Sequence, residues 1–211
     1  RYHHTTCRRQ RQMCIRDSRS GLYPIPLPSG IGLEACSIIE EVGSEVKLFK
    51  VGDRVTRASM PIGTYSEKQI IPEDKLVKVP DNISDEVASC ITLKGITAEY
   101  LLHRTYKVKK GDKILYHAAA GALGQIFCPW ANALGAEIIG TVGSDEKIEI
   151  AKKNGCHHVI NYNEKNFVEE VEKIVGKNGL DVVYDGVGAK TFEGSIEVLK
   201  VRGVMVAFGN A

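Results

Sequence analysis

The feature that most constrains this chain is the alternation of strand and helix patterns that begins at Gly111. Lys113 to Ala118 is an apolar run of strand length, Leu123 to Leu134 reads as a helix, Glu137 to Val142 as a strand and Asp145 to Lys153 as a helix. His158 to Ile160, Glu164 to Val175, Asp181 to Tyr184, Lys190 to Leu199 and Val204 to Phe208 continue the alternation to a fifth strand. Five strands separated by crossover helices predict a parallel, doubly wound α/β sheet. The first strand runs into Ala118-Ala119-Ala120-Gly121-Ala122-Leu123-Gly124. Small residues in a strand-to-helix turn let backbone N–H groups approach a pyrophosphate, and the helix N-terminus adds a favourable dipole. A tight turn without a ligand is the plainer reading of such a string. Its place at the opening of a βαβ array favours a dinucleotide site with Gly121, Ala122 and Leu123 in contact.

The end of the second strand selects the dinucleotide. An NAD site places an Asp or Glu there to grip the ribose hydroxyls. Here the place holds Gly143 and Ser144, with Lys147 three residues further on. A carboxylate repels a 2′-phosphate, whereas a Gly-Ser turn with a lysine welcomes one. Asp145 and Glu146 fall in the first turn of the next helix, where acids are common for dipole reasons alone. Lys147 is either a 2′-phosphate ligand or a solvated helix residue; the expectation is NADP(H) rather than NAD.

The earlier part reads differently. Tyr23 to Pro28 carries three prolines and is extended loop. Leu33 to Val42, the stretch after the Gly52-Asp53 turn, Gly63 to Ile71 and Lys75 to Val79 are strand candidates punctuated by Gly and Pro, as in a small barrel or sandwich. After Pro80, Ser84 is placed to cap a helix, with Asp85 and Glu86 in its first turn. Val87, Ile91, Ala98, Leu101 and Leu102 supply the apolar stripe of one or two helices reaching about His103.

Of 211 residues, 43% are hydrophobic and 26% charged, which excludes a disordered or collagen-like chain. No apolar stretch approaches the ~20 residues of a membrane span, so no membrane partner is expected. The formal net charge of +2 conceals an uneven distribution. Residues 1–18 hold five arginines against one acid, Asp17, so the remainder is slightly acidic and no nucleic-acid footprint is expected. Six cysteines lie at 7, 14, 36, 90, 128 and 156, without zinc-knuckle spacing, and read as reduced thiols of a cytoplasmic protein. Cys156-His157-His158 places donors on alternating strand faces, which suits chelation badly. Residues 1–18 lack periodicity. They read as a transit peptide or, on the string RQRQMCIRD, as a translated sequencing adapter, and are set aside from the fold. The closing VRGVMVAFGNA ends as a strand finishes, so the chain is expected to be a fragment.

Several strings together resemble the zinc-independent NADPH:quinone oxidoreductases, the ζ-crystallin branch of the medium-chain dehydrogenase/reductase superfamily. They are Arg19 through Pro24, Gly52-Asp53-Arg54-Val55, Leu93 through Thr97, His117 through Gly124, Ile160-Asn161-Tyr162, Val183-Tyr184-Asp185 and Phe208-Gly209-Asn210. The resemblance runs from about 19 to 211. It implies an N-terminally truncated GroES-like β domain with linking helices over 19–109 and a C-terminally truncated Rossmann domain over 110–211. It further implies hydride transfer from NADPH to a small quinone-like acceptor, and a homodimer. Thr97 and Tyr100 are implied near the nicotinamide half, Tyr162 on the adenosine-phosphate side, and Phe208, Gly209, Asn210 and Ala211 along the cofactor at a strand end. A packed aromatic is an equal reading of Tyr100. No catalytic acid or base is assigned. Zinc-dependent relatives carry Gly-His-Glu where this chain has Gly32-Leu33-Glu34, and a four-cysteine lobe for which Val55 to Tyr65 leaves no room, so no metal is expected.

Two departures from the family pattern stand out. Ala122 replaces a second glycine, and Pro129 falls inside the following helix, where a kink is expected. Two other functions fit the same residues: an enoyl reductase with the same cofactor, and a non-catalytic nucleotide-binding fragment.

Overall fold

The computed structural model describes Ser18, Gly21 and residues 24–209. The expectations for residues 1–17, Asn210 and Ala211 lie outside the described residues. The chain divides into two compact units that meet between Leu93 and Lys94.

The first unit is built on three antiparallel strands in the order β1-β2-β3: β1 Glu34–Ile38, β2 Arg54–Ala58 and β3 Val77–Lys78. Strand β1 is shorter than the apolar run from Leu33 to Val42 predicts, and β3 shorter than Lys75 to Val79. Glu73–Lys75 is instead a 3-10 turn following Pro72, whose fixed φ and missing N–H bar it from a ladder. The strand expected over residues 63–71 does not form. Alternating apolar residues become a strand only against a neighbouring edge, and Ile70 is 100% exposed. That stretch is tied down as a loop. The amides of Gly63 and Tyr65 donate to the carbonyls of Gly32 and Ile31 at 2.8 and 3.2 Å. The buried Arg57 guanidinium donates to the carbonyls of Ser59 and Pro61, at 2.8 and 2.5 Å, and to the Gln69 side chain.

Helix α1 (Asp85–Tyr100) starts where the Ser84 cap predicts. The Ser84 hydroxyl accepts the Val87 amide at 3.4 Å, and its carbonyl accepts the Ala88 amide at 2.9 Å. Arg54 donates to Asp85 at the helix start at 2.6 Å. The expected one or two helices are one, ending in a π-helical turn, Leu101–Thr105.

The second unit carries the parallel sheet that the sequence predicts. Its elements are β4 Lys113–Tyr116, α2 Gly124–Ala133, β5 Glu137–Val142, α3 Ile148–Lys153, β6 His158–Asn161, α4 Phe167–Val175, β7 Leu180–Asp185, α5 Phe192–Glu197 and β8 Leu199–Ala207. The strand order is β6-β5-β4-β7-β8, all parallel. The order reverses direction between β4 and β7, the switch point at which open α/β sheets bind ligands. Both faces are covered, so the strands are continuously apolar rather than alternating. Ile114, Tyr116, Ile138, Val182 and Tyr184 bury one face with Leu101, Leu102, Phe127 and Ala131. Leu115, Ile139, Ile160 and Val183 bury the other with Val171 of α4. Each such fully buried large side chain contributes about 1.5–3 kcal/mol. Pro129 lies inside α2 at an exposed position, beside the exposed Gln125 whose carbonyl an unbroken helix would bond. Among the described residues no helix is long and apolar enough to cross a membrane.

Candidate nucleotide site

The turn after β4 is held from several sides. The Ala119 amide donates to the Thr141 carbonyl of β5 at 3.0 Å, and the Gly121 amide to the Ala118 carbonyl at 2.8 Å. Ala118 takes the left-handed conformation, with φ 59°, a backbone region that residues bearing a Cβ seldom adopt. Ala122 does not, so the second-glycine position of the family pattern requires no positive φ here. A Cβ at Gly124 would stand 2.3 Å from the Ala119 carbonyl oxygen, so the first turn of α2 rests directly on the backbone leaving β4. At Gly140 of β5 a Cβ would meet the Ala119 side chain at 2.7 Å. Glycines at 124 and 140 thus seat the turn against helix and sheet. The opening amides of any helix lack an intrahelical acceptor and point outward with the positive end of the dipole. Gly121 and Ala122 are exposed beside them, and Leu123 is half-buried against the core.

The end of β5 gathers a second group. A Cβ on Gly143 would lie 3.0 Å from the Tyr162 hydroxyl, so this ring stands directly against that glycine. Asn163 donates to the Gly143 carbonyl at 2.8 Å. Asp145, the next acid in the sequence, accepts from Asn161 of β6 at 2.9 Å and is thereby engaged with the neighbouring strand. Ser144 is half-buried, and Lys147 is exposed at the end of the 3-10 turn Asp145–Lys147.

A third group closes the edge. Phe208 donates its amide to the Asp185 carbonyl at 3.0 Å, and its ring centroid is 6.1 Å from that of Tyr116. A Cβ at Gly186 would meet the Phe208 ring at 2.9 Å, and one at Gly209 the Gly186 carbonyl oxygen at 2.9 Å. The carboxyl ends of β4, β5, β6, β7 and β8 therefore bring together Gly121, Ala122, Leu123, Gly143, Ser144, Tyr162, Phe208 and Gly209. Thr97 and Tyr100 lie one turn from each other on α1, Tyr100 being 36% exposed and near enough to Tyr116, the last residue of β4, to act on it electrostatically.

Sequence reasoning left unassigned a buried polar chain beneath this edge. His117, 1% exposed, bonds Thr141 through Nδ1 and Ser195 through Nε2, both at 2.9 Å. Burial pushes the imidazole pKa down to about 4, against a smaller upward pull from Asp185. Ser195 donates to Asp185 Oδ2 at 3.3 Å and Thr191 to the same oxygen at 2.7 Å, while Asp185 Oδ1 accepts the amides of Val187 and Gly188. The available signal was a histidine and an aspartate at the carboxyl ends of otherwise apolar strands.

Elsewhere the donors disperse. Leu33 stands beside Glu34, whose carboxylate accepts the Leu93 amide at 2.7 Å. His157 Nδ1 accepts the Ile138 amide at 3.0 Å, His158 faces Glu137 at 3.4 Å and Cys156 is buried, so that trio diverges. Among the described residues, Cys36, Cys90, Cys128 and Cys156 form no disulfide with one another. A hydrogen bond with Cys156, then burial, raises the Cys128 thiol well above its ordinary range. A cleft of about 690 Å³ in the first unit, lined among others by Ile38, Val42, Phe49 and Ile70, contains none of the site residues.

Comparison with known proteins agrees with this geometry. A family model for the zinc-binding dehydrogenases matches residues 122–211, and one for the alcohol dehydrogenase GroES-like domain matches residues 6–81. The chain is 50% identical over 194 residues to quinone oxidoreductase 1 of Escherichia coli, covering 92% of this chain and 59% of that protein. It is 48% identical over 200 residues to a 2-haloacrylate reductase of a Burkholderia species, covering 92% and 60%. Among solved structures, Escherichia coli quinone oxidoreductase complexed with NADPH superposes with a TM-score of 0.90 at 49% identity, over 94% of this chain and 61% of that one. The chain thus spans about 60% of the length of the curated relatives it matches. By sequence and by fold, the chain is homologous to the quinone oxidoreductases over about 60% of their length and matches the GroES-like and zinc-binding dehydrogenase family models in succession.

Proposed function

We propose that the chain forms the nucleotide-binding part, and some of the GroES-like part, of an enzyme that reduces a quinone or similarly electron-poor acceptor with NADPH. The carrying observation is the seat of Gly124 on Ala119, which opens the start of α2 at the sheet's switch point. The turn of Gly121, Ala122 and Leu123 would hold the pyrophosphate. Ser144 and Lys147 would hold the 2′-phosphate, with Gly143 and Tyr162 beside it. Phe208 and Gly209, continued by Asn210 and Ala211, would flank the cofactor, with Thr97 and Tyr100 toward its nicotinamide half. The bound dinucleotide supplies the hydride; the protein orients it and keeps water away. We assign the division at 19–109 and 110–211, and a homodimer, on the same family resemblance.

Zinc has no assigned part in this reading, because Leu33 offers no metal-binding atom where zinc-dependent relatives have histidine. The name of the 48% identical 2-haloacrylate reductase favours a second reading, in which the acceptor is an electron-poor alkene. Fluorescence titration with NADPH tests the site, and NADPH consumption with a simple quinone against an α,β-unsaturated acid tests the acceptor. Saturable binding with faster turnover of the quinone is expected. Faster turnover of the acid selects the alkene reading, binding without turnover selects a nucleotide-binding role alone, and no binding overturns the proposal.

A further inference from the structure

We propose that His117 is a positioning residue, locked as one neutral tautomer in a one-directional chain of hydrogen bonds that holds the two loops at the switch point in the shape the dinucleotide requires. The inference rests on the nucleotide reading above.

The direction follows from proton counting. Ser195 has a single hydroxyl proton and donates it to Asp185 Oδ2, at 3.3 Å. A carboxylate only accepts, so Ser195 Oγ is left to accept from His117 Nε2–H, at 2.9 Å. A neutral imidazole carries one proton, so Nδ1 is bare and accepts from the Thr141 hydroxyl at 2.9 Å. The chain runs Thr141 to His117 to Ser195 to Asp185. It joins β5, the end of β4, α5 and the end of β7. All four residues are at most 1% exposed, so water cannot substitute for a missing member.

Its two ends act on the site. His117 immediately precedes Ala118, whose left-handed conformation is strained for a residue with a Cβ and persists only where surroundings impose it. The ring anchors that residue from behind, between β5 and α5. At the other end, Asp185 accepts the amides of Val187 and Gly188 at 2.8 and 2.9 Å and so shapes the loop after β7. That loop packs on Phe208 and Gly209. One buried chain therefore sets both lips of the crevice. Ser195 cannot serve as a nucleophile in this arrangement, because it is 0% exposed.

Two measurements on the full chain test this. Nitrogen-15 NMR of the wild-type imidazole at neutral pH is expected to show a protonated Nε2 and a bare Nδ1; the opposite tautomer, or a mixture, overturns the chain of donors. NADPH titration is then compared for wild type, Thr141→Val and Thr141→Ser. Valine should weaken binding about tenfold, the equivalent of one lost hydrogen bond, and serine, which keeps the hydroxyl, should restore it. Equal affinity in all three, or equal loss in both variants, overturns the positioning role while leaving the nucleotide reading intact. Absence of binding by the wild type overturns both.

Discussion

Gly124 and the carbonyl of Ala119 are so close that a single methyl group cannot be placed between them: a Cβ at residue 124 would stand 2.3 Å from that oxygen and 2.7 Å from its carbon. Backbone cannot rotate away as a flexible side chain can. Gly124→Ala is therefore expected to push the start of α2 off the sheet. The cost should be about 1–3 kcal/mol, typical of an overpacked core, with loss of NADPH binding. Urea denaturation and NADPH titration check it; a variant with unchanged midpoint and affinity would show that the turn yields.

His117 makes stability depend on acid. Its folded pKa is depressed to about 4 by burial, against an ordinary value of 6.5. The groups around it are the Thr141 and Ser195 hydroxyls and the Phe167 ring, and the Asp185 carboxylate pulls its pKa slightly upward. Between these two pH values the unfolded chain binds a proton that the folded one refuses. The contribution is thus complete above the unfolded pKa and is lost as pH falls toward the folded one, amounting to roughly 3 kcal/mol across the window. Denaturant midpoints of wild type and His117→Gln should converge as pH falls through that range. Parallel curves would mean that His117 takes no part in acid unfolding.

Lys147 should discriminate between the two dinucleotides. A charge-assisted contact with the 2′-phosphate contributes about 1.5–3 kcal/mol, so NADPH should bind at least roughly tenfold more tightly than NADH. Lys147→Ala should weaken NADPH and leave NADH nearly unchanged. Because the side chain is exposed, the preference should also shrink at high salt. Equal losses for both cofactors would remove the phosphate from its role.

Tyr184 links β7 to the π-helical turn after α1. Its hydroxyl donates to the Leu101 carbonyl at 3.0 Å, with both residues 0% exposed. Tyr184→Phe leaves that carbonyl with only the 3.5 Å bond from the Tyr106 amide, an expected cost of about 0.5–1.5 kcal/mol. Hydrogen exchange should show the loss first in the segment from Leu101 to Val108, where the amides of Tyr106 and Val108 bond the carbonyls of Leu101 and Leu102. A loss spread evenly over the unit would argue against a local latch.

The sequence by itself determined the second unit's architecture. Glu137–Val142 is a strand with the bounds its apolar run predicts, and the alternation from Gly111 yields five parallel strands, because a run buried on both faces is recognisable without its partners. It was weaker where structure depends on a neighbouring edge. Residues 63–71 have a strand's pattern yet form a loop, held by Gly32, Ile31 and Arg57, which no local pattern announces. Only the tertiary structure decided that the strained residue of the turn is Ala118 rather than Ala122. It alone assembled Thr141, His117, Ser195 and Asp185 into one chain, since hydrogen bonds spanning 24 and 78 residues leave no trace in local composition. Periodicity records how much of a segment is buried; which polar groups meet inside is set by strand order, and that exists only once the sheet has closed.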